Sequence, residues 1–459
     1  VNAQLAIILA YAALQIGLGV FIGRWVKSTG AFFVAGRGLP PMLLFATLLA
    51  ANIGAGSTVG AASLGYRLGL SAWWWVGSAG IGTLALAFWI GPRIWRVAKE
   101  HDLQTVGDFL ELRYGAEVRG MVASLLWVAT LFVLAAQLIA LARVLEAVAG
   151  VPKVWGAVLG GMVMTAYFTA GGLLSSAWVN LVQLVVLYLG FFLALPGALS
   201  SMGGMEGARE LGARVGGAYF DPWTDGARYL ALLAPAFIVS PGLIQKVYGA
   251  RDERAVRLGV GLAGLALLLF AWVPPILGMA ARAEFPELAS PDLALPVLLT
   301  ERMPLLLGSL GIAAIFSAEV SSADAALFML ATSLSRDLYR RFLRPDAPDA
   351  AVLRAARLAG LAGGALGVAI ALLFETVIDT LTIFYSILSV SLFVPVIAGI
   401  HLRRTRALEA MAAIGAGVAT LLAAHLHTGG AGYGIAPPTL LGISMSAVVF
   451  GLARRVKNS

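Results

Sequence analysis

The segment Ser317-Ala318-Glu319-Val320-Ser321-Ser322-Ala323-Asp324 sets three hydroxyls and two carboxylates inside a long apolar run. On a helix Ala318, Ser321 and Ser322 share one face, because positions i, i+3 and i+4 are surface neighbours. Hydroxyl and carbonyl oxygens are hard donors, suited to Na+ and poorly suited to a soft transition metal. Serines in apolar helices also bond back to their own backbone, so the hydroxyls alone leave both uses open. The carboxylates say more. A charge at mid-bilayer costs at least about 2.5 kcal/mol, which makes Glu319 and Asp324 candidates for function.

Two other segments resist a continuous helix. Ala50-Ala51-Asn52-Ile53-Gly54-Ala55-Gly56-Ser57-Thr58 combines two glycines, an amide side chain and two hydroxyls, and glycine weakens a helix through its conformational freedom. Ser240-Pro241-Gly242, with Pro235 ahead of it, interrupts another apolar run at a similar depth. Proline removes one amide and disfavours the helical conformation of its predecessor. Close packing through small residues would explain the first segment taken alone. Paired interruptions at corresponding places in two halves point instead to the central site of a transporter. Freed carbonyls there can coordinate a small cation, and exposed helix N-termini can face an anionic group.

Such segments need elements that hold them at mid-membrane. Of 459 residues, 60% are hydrophobic and 12% charged, with a mean hydropathy of +0.89; ordinary soluble domains carry about 25% charged residues. A span takes about 20 apolar residues. The apolar runs predict thirteen helices, near 5–23, 42–68, 72–97, 119–148, 154–172, 175–199, 228–248, 257–281, 304–334, 357–374, 378–402, 409–426 and 437–453. The first, Leu5 to Gly23, lacks the basic leader and cleavage site of a signal peptide and reads as a retained span. The two interrupted helices start five spans apart, and that odd offset gives the two halves opposite orientation. Polar connections fall at 200–227 and 336–356, and Trp73, Trp74 and Trp75 sit where an aromatic belt is expected.

The net charge of +8 does not signal nucleic acid, because the basic residues gather in short loops. Arg24, Lys27 and Arg37, Arg93 through Arg119, Lys246 through Arg257, Arg336 through Arg357, Arg403 through Arg406 and Arg454 through Lys457 all fall on one side. The positive-inside rule then puts the N-terminus outside and the C-terminus in the cytoplasm, in a plasma membrane expected to be a bacterial inner membrane. The absence of cysteine excludes disulfides, thiol catalysis and cysteine metal sites. His101, His401, His425 and His427 stand beside no serine or aspartate in mid-span, which argues against an intramembrane enzyme. A channel would need polar groups running through the membrane, whereas these cluster at its middle. The few residues after the last span lead to no expectation of an output domain, so a transporter-like sensor is not expected either.

Six pieces occur in order: Phe33-Val34-Ala35-Gly36-Arg37-Gly38-Leu39-Pro40; Thr105-Val106-Gly107-Asp108-Phe109-Leu110-Glu111-Leu112-Arg113-Tyr114-Gly115; Gly171-Gly172-Leu173 with Trp178 and Gln183; Gln245-Lys246; Ser321-Ser322 with Arg336-Asp337-Leu338-Tyr339; and Pro395 with Arg403-Arg404-Thr405. Together they resemble the sodium/solute symporter family, which includes sodium–glucose, sodium–proline and sialic-acid transporters. The resemblance implies an all-α polytopic membrane protein with the five-plus-five inverted-repeat (LeuT-type) fold. Residues 1–41 would form an extra N-terminal helix and inner loop, 42–199 the first repeat, 228–402 the inverted second, and 403–459 two C-terminal helices. It also implies a sodium site on the carbonyls of Ala50, Ile53 and Ala318 and the hydroxyls of Ser321 and Ser322, with Na+ as the transported coupling ion.

Two departures from the family pattern matter. Members with a second sodium site have an aspartate on the sixth span and further serines on the ninth; this chain has Asn180, and Ser321, Asp324 and Ala325. A carboxylate has in effect changed helix. Asp324 with Asn180 is thus a candidate for a second cation or a proton, the alternative being that Asp324 only pairs with Asn180 or a backbone group. Sugar-transporting relatives line the second, seventh and eleventh spans with polar side chains, where this seventh span offers Leu233-Ala234-Pro235-Ala236-Phe237. Ser57, Thr58, Phe237, Thr382 and Tyr385 are the candidate solute contacts. Sugar hydroxyls would go unpaired there at a cost, so the expected solute is an amino acid such as proline, or a monocarboxylate. The expected function is Na+-coupled symport by alternating access, with no catalytic residue. The alternatives are a proton-coupled symporter of the same fold and, more remotely, a channel. The expected partners are the solute and the lipid bilayer, with no nucleic acid and no obligate protein partner.

Overall fold

Backbone amides facing lipid must be paired within their own segment, and the computed structural model of the chain is helical almost throughout. It describes residues 3–23, 35–170 and 173–455; Arg24, Lys27, Phe33, Val34, Gly171, Gly172 and Lys457 lie outside the described residues. Helix α1 (Ala3–Gly23) comes first. The expected second span is two helices, α2 (Pro41–Asn52) and α3 (Ala61–Leu68), flanking a wide turn over Gly56–Gly60. Next come α4 (Trp73–Ala85), α5 (Gly91–Glu100), α6 (Val106–Tyr114), α7 (Ala116–Ala149), α8 (Lys153–Ala170), α9 (Leu173–Ser201) and α10 (Gly204–Val215). The seventh span is likewise broken, into α11 (Gly226–Val239) and α12 (Pro241–Tyr248). After it run α13 (Glu253–Phe270), α14 (Val273–Glu284), α15 (Ala294–Glu301), α16 (Leu305–Thr332), α17 (Asp349–Leu373) and α18 (Val377–His401), then α19 (Ala407–Thr428) and α20 (Pro438–Arg455).

The helices pack by exchange between halves. α2 and α3 lie along α13 and α14, while α11 and α12 lie along α4 and α5. Each broken helix thus packs on the helix that follows the other broken one, as two copies related by an axis in the membrane plane require. α7 against α18 and α16 against α9 make a second exchanged pair. The α3–α14 contact is close enough to need glycine: a Cβ on Gly278 would stand 2.0 Å from the Ala62 carbonyl oxygen. The Leu39 N–H donates to Gly249 O at 3.0 Å and Arg251 N–H to Leu39 O at 3.1 Å. That bridge ties the entry of α2 to the exit of α12.

Each expected span has a helical counterpart, yet nine described segments are long and apolar enough to cross a bilayer by that measure alone, against thirteen expected. Much of the gap has a local cause. Gly56–Glu100 counts as one segment although the chain turns at Gly69, and the break leaves Pro41–Asn52 short. Three helices also stand where only loops were expected: α6, α15 and α10. α6 starts at a capping box, in which the Thr105 hydroxyl accepts from the Asp108 N–H and the Asp108 carboxylate accepts from the Thr105 N–H. Helical turns also carry the ninth span on from Ser333 to Leu343, into the expected 336–356 connection. Of the three tryptophans, Trp75 turns inward, 3% exposed, and meets Tyr229 and Tyr385 edge-on.

Candidate functional site

The break after α2 changes where its backbone hydrogen bonds go. Ile53 is extended, at φ −101° and ψ 103°. The Ala55 N–H, which a continuous helix would give to Ala51 O, donates instead to Gln137 Oε1 of α7 at 2.8 Å. The Ser57 N–H donates to Gly54 O rather than Ile53 O. Carbonyls at the end of α2 are therefore released to other partners.

Those partners are on α16. The Ser321 hydroxyl lies 2.9 Å from Ala50 O and 3.0 Å from Ala318 O, and the Ser322 hydroxyl lies 3.1 Å from Ile53 O. All five oxygens of the expected sodium site thus meet in one buried cluster. It is neutral and made of hard donors, which fits a monovalent alkali ion. Ser317 shows the bland use of a serine, donating back to Ala313 O at 2.8 Å. Gly54 makes the approach possible, since a Cβ there would stand 2.2 Å from Ser322 Oγ.

Thr58 and Glu319 form a contact beside this cluster. Thr58 Oγ1 lies 2.8 Å from Glu319 Oε1 and 2.9 Å from Gly54 O. Glu319 is fully buried, and its Oε2 has no hydrogen-bond partner among the described residues. The Ser57 hydroxyl donates to Asn52 O at 2.8 Å, closing the broken turn.

A cavity opens against this oxygen cluster, between the two helix breaks. Asn52, Ser57, Gln137, Phe237, Ser240 and Tyr385 line it, together with Ser322. Tyr385 packs on Phe237 with ring centres 5.5 Å apart. Of the expected solute contacts, Ser57, Phe237 and Tyr385 come together here. Thr58 spends its hydroxyl on Glu319 and Gly54, and Thr382 donates to Ile378 O one turn earlier. Asn180 donates to Thr47 Oγ1 at 3.4 Å. Asp324 interacts electrostatically with the buried Lys246 ammonium of α12.

At the α6 end of the bundle, pieces of the sequence pattern far apart in the chain meet in one ionic cluster. Arg119 reaches Asp108 at 2.9 Å, Glu111 at 2.8 Å and Asp337 at 2.7 Å. Arg341 also reaches Glu111, and Thr105 donates to Asp337. α6, α7 and the helical turns that follow α16 are held together by it.

The described helices follow a solved Na+-coupled sialic acid symporter in a substrate-bound outward-open state, with a TM-score of 0.84 at 18% identity over 99% of this chain and 98% of that one. A nucleobase-cation-symport-1 family transporter in a closed conformation is similar with a TM-score of 0.63 at 13% identity, covering 94% and 95%. These likenesses establish the inverted-repeat fold. Sequence decides the family, for the model of the sodium:solute symporter family matches residues 32–417. The chain belongs to the sodium:solute symporter family. This symporter is 25% identical over 396 residues to the sodium/glucose cotransporter of Vibrio parahaemolyticus, covering 76% of this chain and 71% of that one. It is 27% identical over 368 residues to the sodium/pantothenate symporter of Escherichia coli (strain K12), covering 75% and 74%. It is a multi-pass membrane transporter and not an enzyme, and Na+ is its coupling ion.

Three buried positions in or near the candidate site escaped the reading from sequence. Gln137 is a single amide in the apolar run of α7, and that isolation is the signal that marks it. Lys246 registered as an inner-loop charge and as part of the Gln245-Lys246 piece, with no partner assigned, although it is 4% exposed. Trp75 read as interfacial.

Proposed function

We propose that Na+ binds on the carbonyls of Ala50, Ile53 and Ala318 and the hydroxyls of Ser321 and Ser322, and that a small, partly apolar solute binds beside it. The observation that carries this reading is the pair of bonds from Ser321 to Ala50 O and from Ser322 to Ile53 O. An ion bridging them would tie the broken helix to α16 and so favour one orientation of the central site. The halves 42–199 and 228–402 would then rock against each other, with the N-terminus outside and the C-terminus in the cytoplasm. Inward potential contributes about 2.3 kcal/mol per charge per 100 mV. The Arg119 cluster closes the inner path and must part for release.

An amino acid or monocarboxylate fits the cavity better than a sugar. Ala236, Phe237, Leu243 and Leu381 supply an apolar part of its wall beside the polar Asn52, Ser57, Ser240 and Tyr385, a division that matches a solute with one polar end and an apolar body. Asp324 with Asn180 is the candidate for a second cation or a proton, and the Lys246 ammonium opposite Asp324 competes for that carboxylate. The test is a thermal-stability screen of the purified protein against amino acids, monocarboxylates and sugars, in Na+ and in K+. A carboxylate that stabilises in Na+ alone supports the reading; a sugar doing so overturns the solute class, and equal stabilisation in K+ overturns the site.

A further inference from the structure

The side-chain amide of Gln137 stands between the oxygen cluster and the central cavity. It lies on α7 and lines that cavity, as Val133 does one turn earlier. Its Oε1 accepts the Ala55 N–H at 2.8 Å, on the turn where α2 ends. Its Nε2 donates to no group among the described residues. That nitrogen stays open to the cavity, whereas the unpaired Nδ2 of Asn52 is sealed by protein. One rigid amide plane thus meets the turn with its oxygen and the solute space with its nitrogen.

The turn it meets is the one that builds the oxygen cluster. A Cβ on Gly54 would stand 2.8 Å from Gln137 Oε1 and 2.2 Å from Ser322 Oγ. A single glycine is therefore wedged between the amide and a proposed Na+ ligand. Ser322 in turn reaches Ile53 O, one residue before that glycine. A displacement of the amide oxygen passes to Ile53 and Ser322 through one residue. Other polar groups of the cavity wall lack this link. Ser57 spends its hydroxyl on Asn52 O. Ser240 and Tyr385 stand at the second break and on α18, elements that supply none of the five oxygens.

We propose that Gln137 couples solute to Na+: Nε2 donates to an acceptor oxygen at the polar end of the solute, while Oε1 holds the Ala55 N–H and with it the shape of the proposed sodium site. Hydrogen bonds polarise one another, so an acceptor on Nε2 makes Oε1 the stronger partner for Ala55. Each ligand then tightens the other by the same factor, as a coupling free energy between two sites requires. This inference rests on the sodium site and the solute class proposed above, and adds the residue through which they communicate.

The test titrates Na+ against the melting temperature of the purified protein. Each titration is run without solute and with a saturating one, drawn from a panel of the common amino acids, acetate, propionate and butyrate. In the parent, the solute should lower the Na+ half-point by about fivefold or more. Gln137→Met keeps the length of the side chain and removes both polar atoms. It should raise the solute-free half-point by about fivefold and hold the solute effect to within about twofold of none. Gln137→Asn stays polar but is a methylene too short to span both contacts, and should lose the solute effect likewise. Ser240→Ala is the control: it should weaken the solute yet leave, at saturation, its full effect on Na+. A merely structural loss would lower every melting temperature without moving that ratio. A parent-like ratio in both Gln137 variants, or one abolished equally by Ser240→Ala, overturns the proposal. A parent that no panel member shifts loses the solute class and this inference with it. A parent that solute stabilises equally at every Na+ concentration keeps both sites and loses the coupling alone.

Discussion

The hydroxyl of Thr58, on the turn between the two halves of the first broken helix, lies 2.8 Å from the buried carboxylate of Glu319 on α16. The same hydroxyl lies 2.9 Å from Gly54 O, so one proton serves two acceptors. This contact fixes the turn that frees the carbonyls of Ala50 and Ile53. Thr58→Val leaves both Glu319 oxygens without that donor and is expected to lower stability by about 1–3 kcal/mol. Thr58→Ser should restore most of it, as thermal unfolding in detergent would show. A Val variant as stable as the parent would mean the contact contributes nothing.

Ser321 and Ser322 are the two side-chain oxygens of the proposed sodium site. Ser321→Ala should weaken apparent Na+ affinity by about tenfold or more while costing the Na+-free protein only about 1 kcal/mol, the usual worth of one hydrogen bond. Ser322→Ala should behave alike, through Ile53 O. Titrating Na+ against the melting temperature reads both effects at once. Unchanged Na+ dependence in both variants would remove the cluster as the ion site.

Lys246 and Asp324 are 4% and 8% exposed and interact as opposite charges. Removing one member of a buried pair leaves a buried charge uncompensated, at about 3–5 kcal/mol. Asp324→Asn and Lys246→Met should each destabilise in that range, and the double variant should recover much of the loss. Uptake by Asp324→Asn in a strain or liposome that tolerates it decides the ion question. Unaltered stoichiometry and pH dependence there would exclude Asp324 as a carrier of cation or proton.

On the connection between α14 and α15, burial pushes the Asp292 carboxyl above its ordinary range, despite bonds from the Val377 N–H and the Ser63 side chain. A raised carboxyl favours the protonated form in the folded protein, so its contribution is present at low pH and is lost as pH rises through the raised value. The melting temperature of the parent should therefore carry a falling component between acidic and neutral pH. Asp292→Asn, which keeps an acceptor for Val377, should flatten that slope and be more stable at neutral pH. Identical slopes in the two proteins would refute the assignment.

Much of this was legible in the chain alone. Apolar length demands helices, because unpaired amides cannot face lipid, and glycine or proline at Gly54, Gly56 and Pro241 marks where those helices must break. The i, i+3, i+4 spacing of Ala318, Ser321 and Ser322 needs no tertiary information to place three oxygens on one face. Their bonds to Ala50 and Ile53 span some 270 positions of sequence separation, and only the packing of α2 on α16 brings them about. Local pattern likewise cannot tell a core lysine from a loop lysine, so nothing in the sequence set Lys246 against Asp324, and only the packing of α12 does so. Gln137 and Arg119 are of the same kind. A side chain's type limits which bonds it can make, but its partner is chosen by which helix lies beside it, and the exchange of contacts between the two halves decides that.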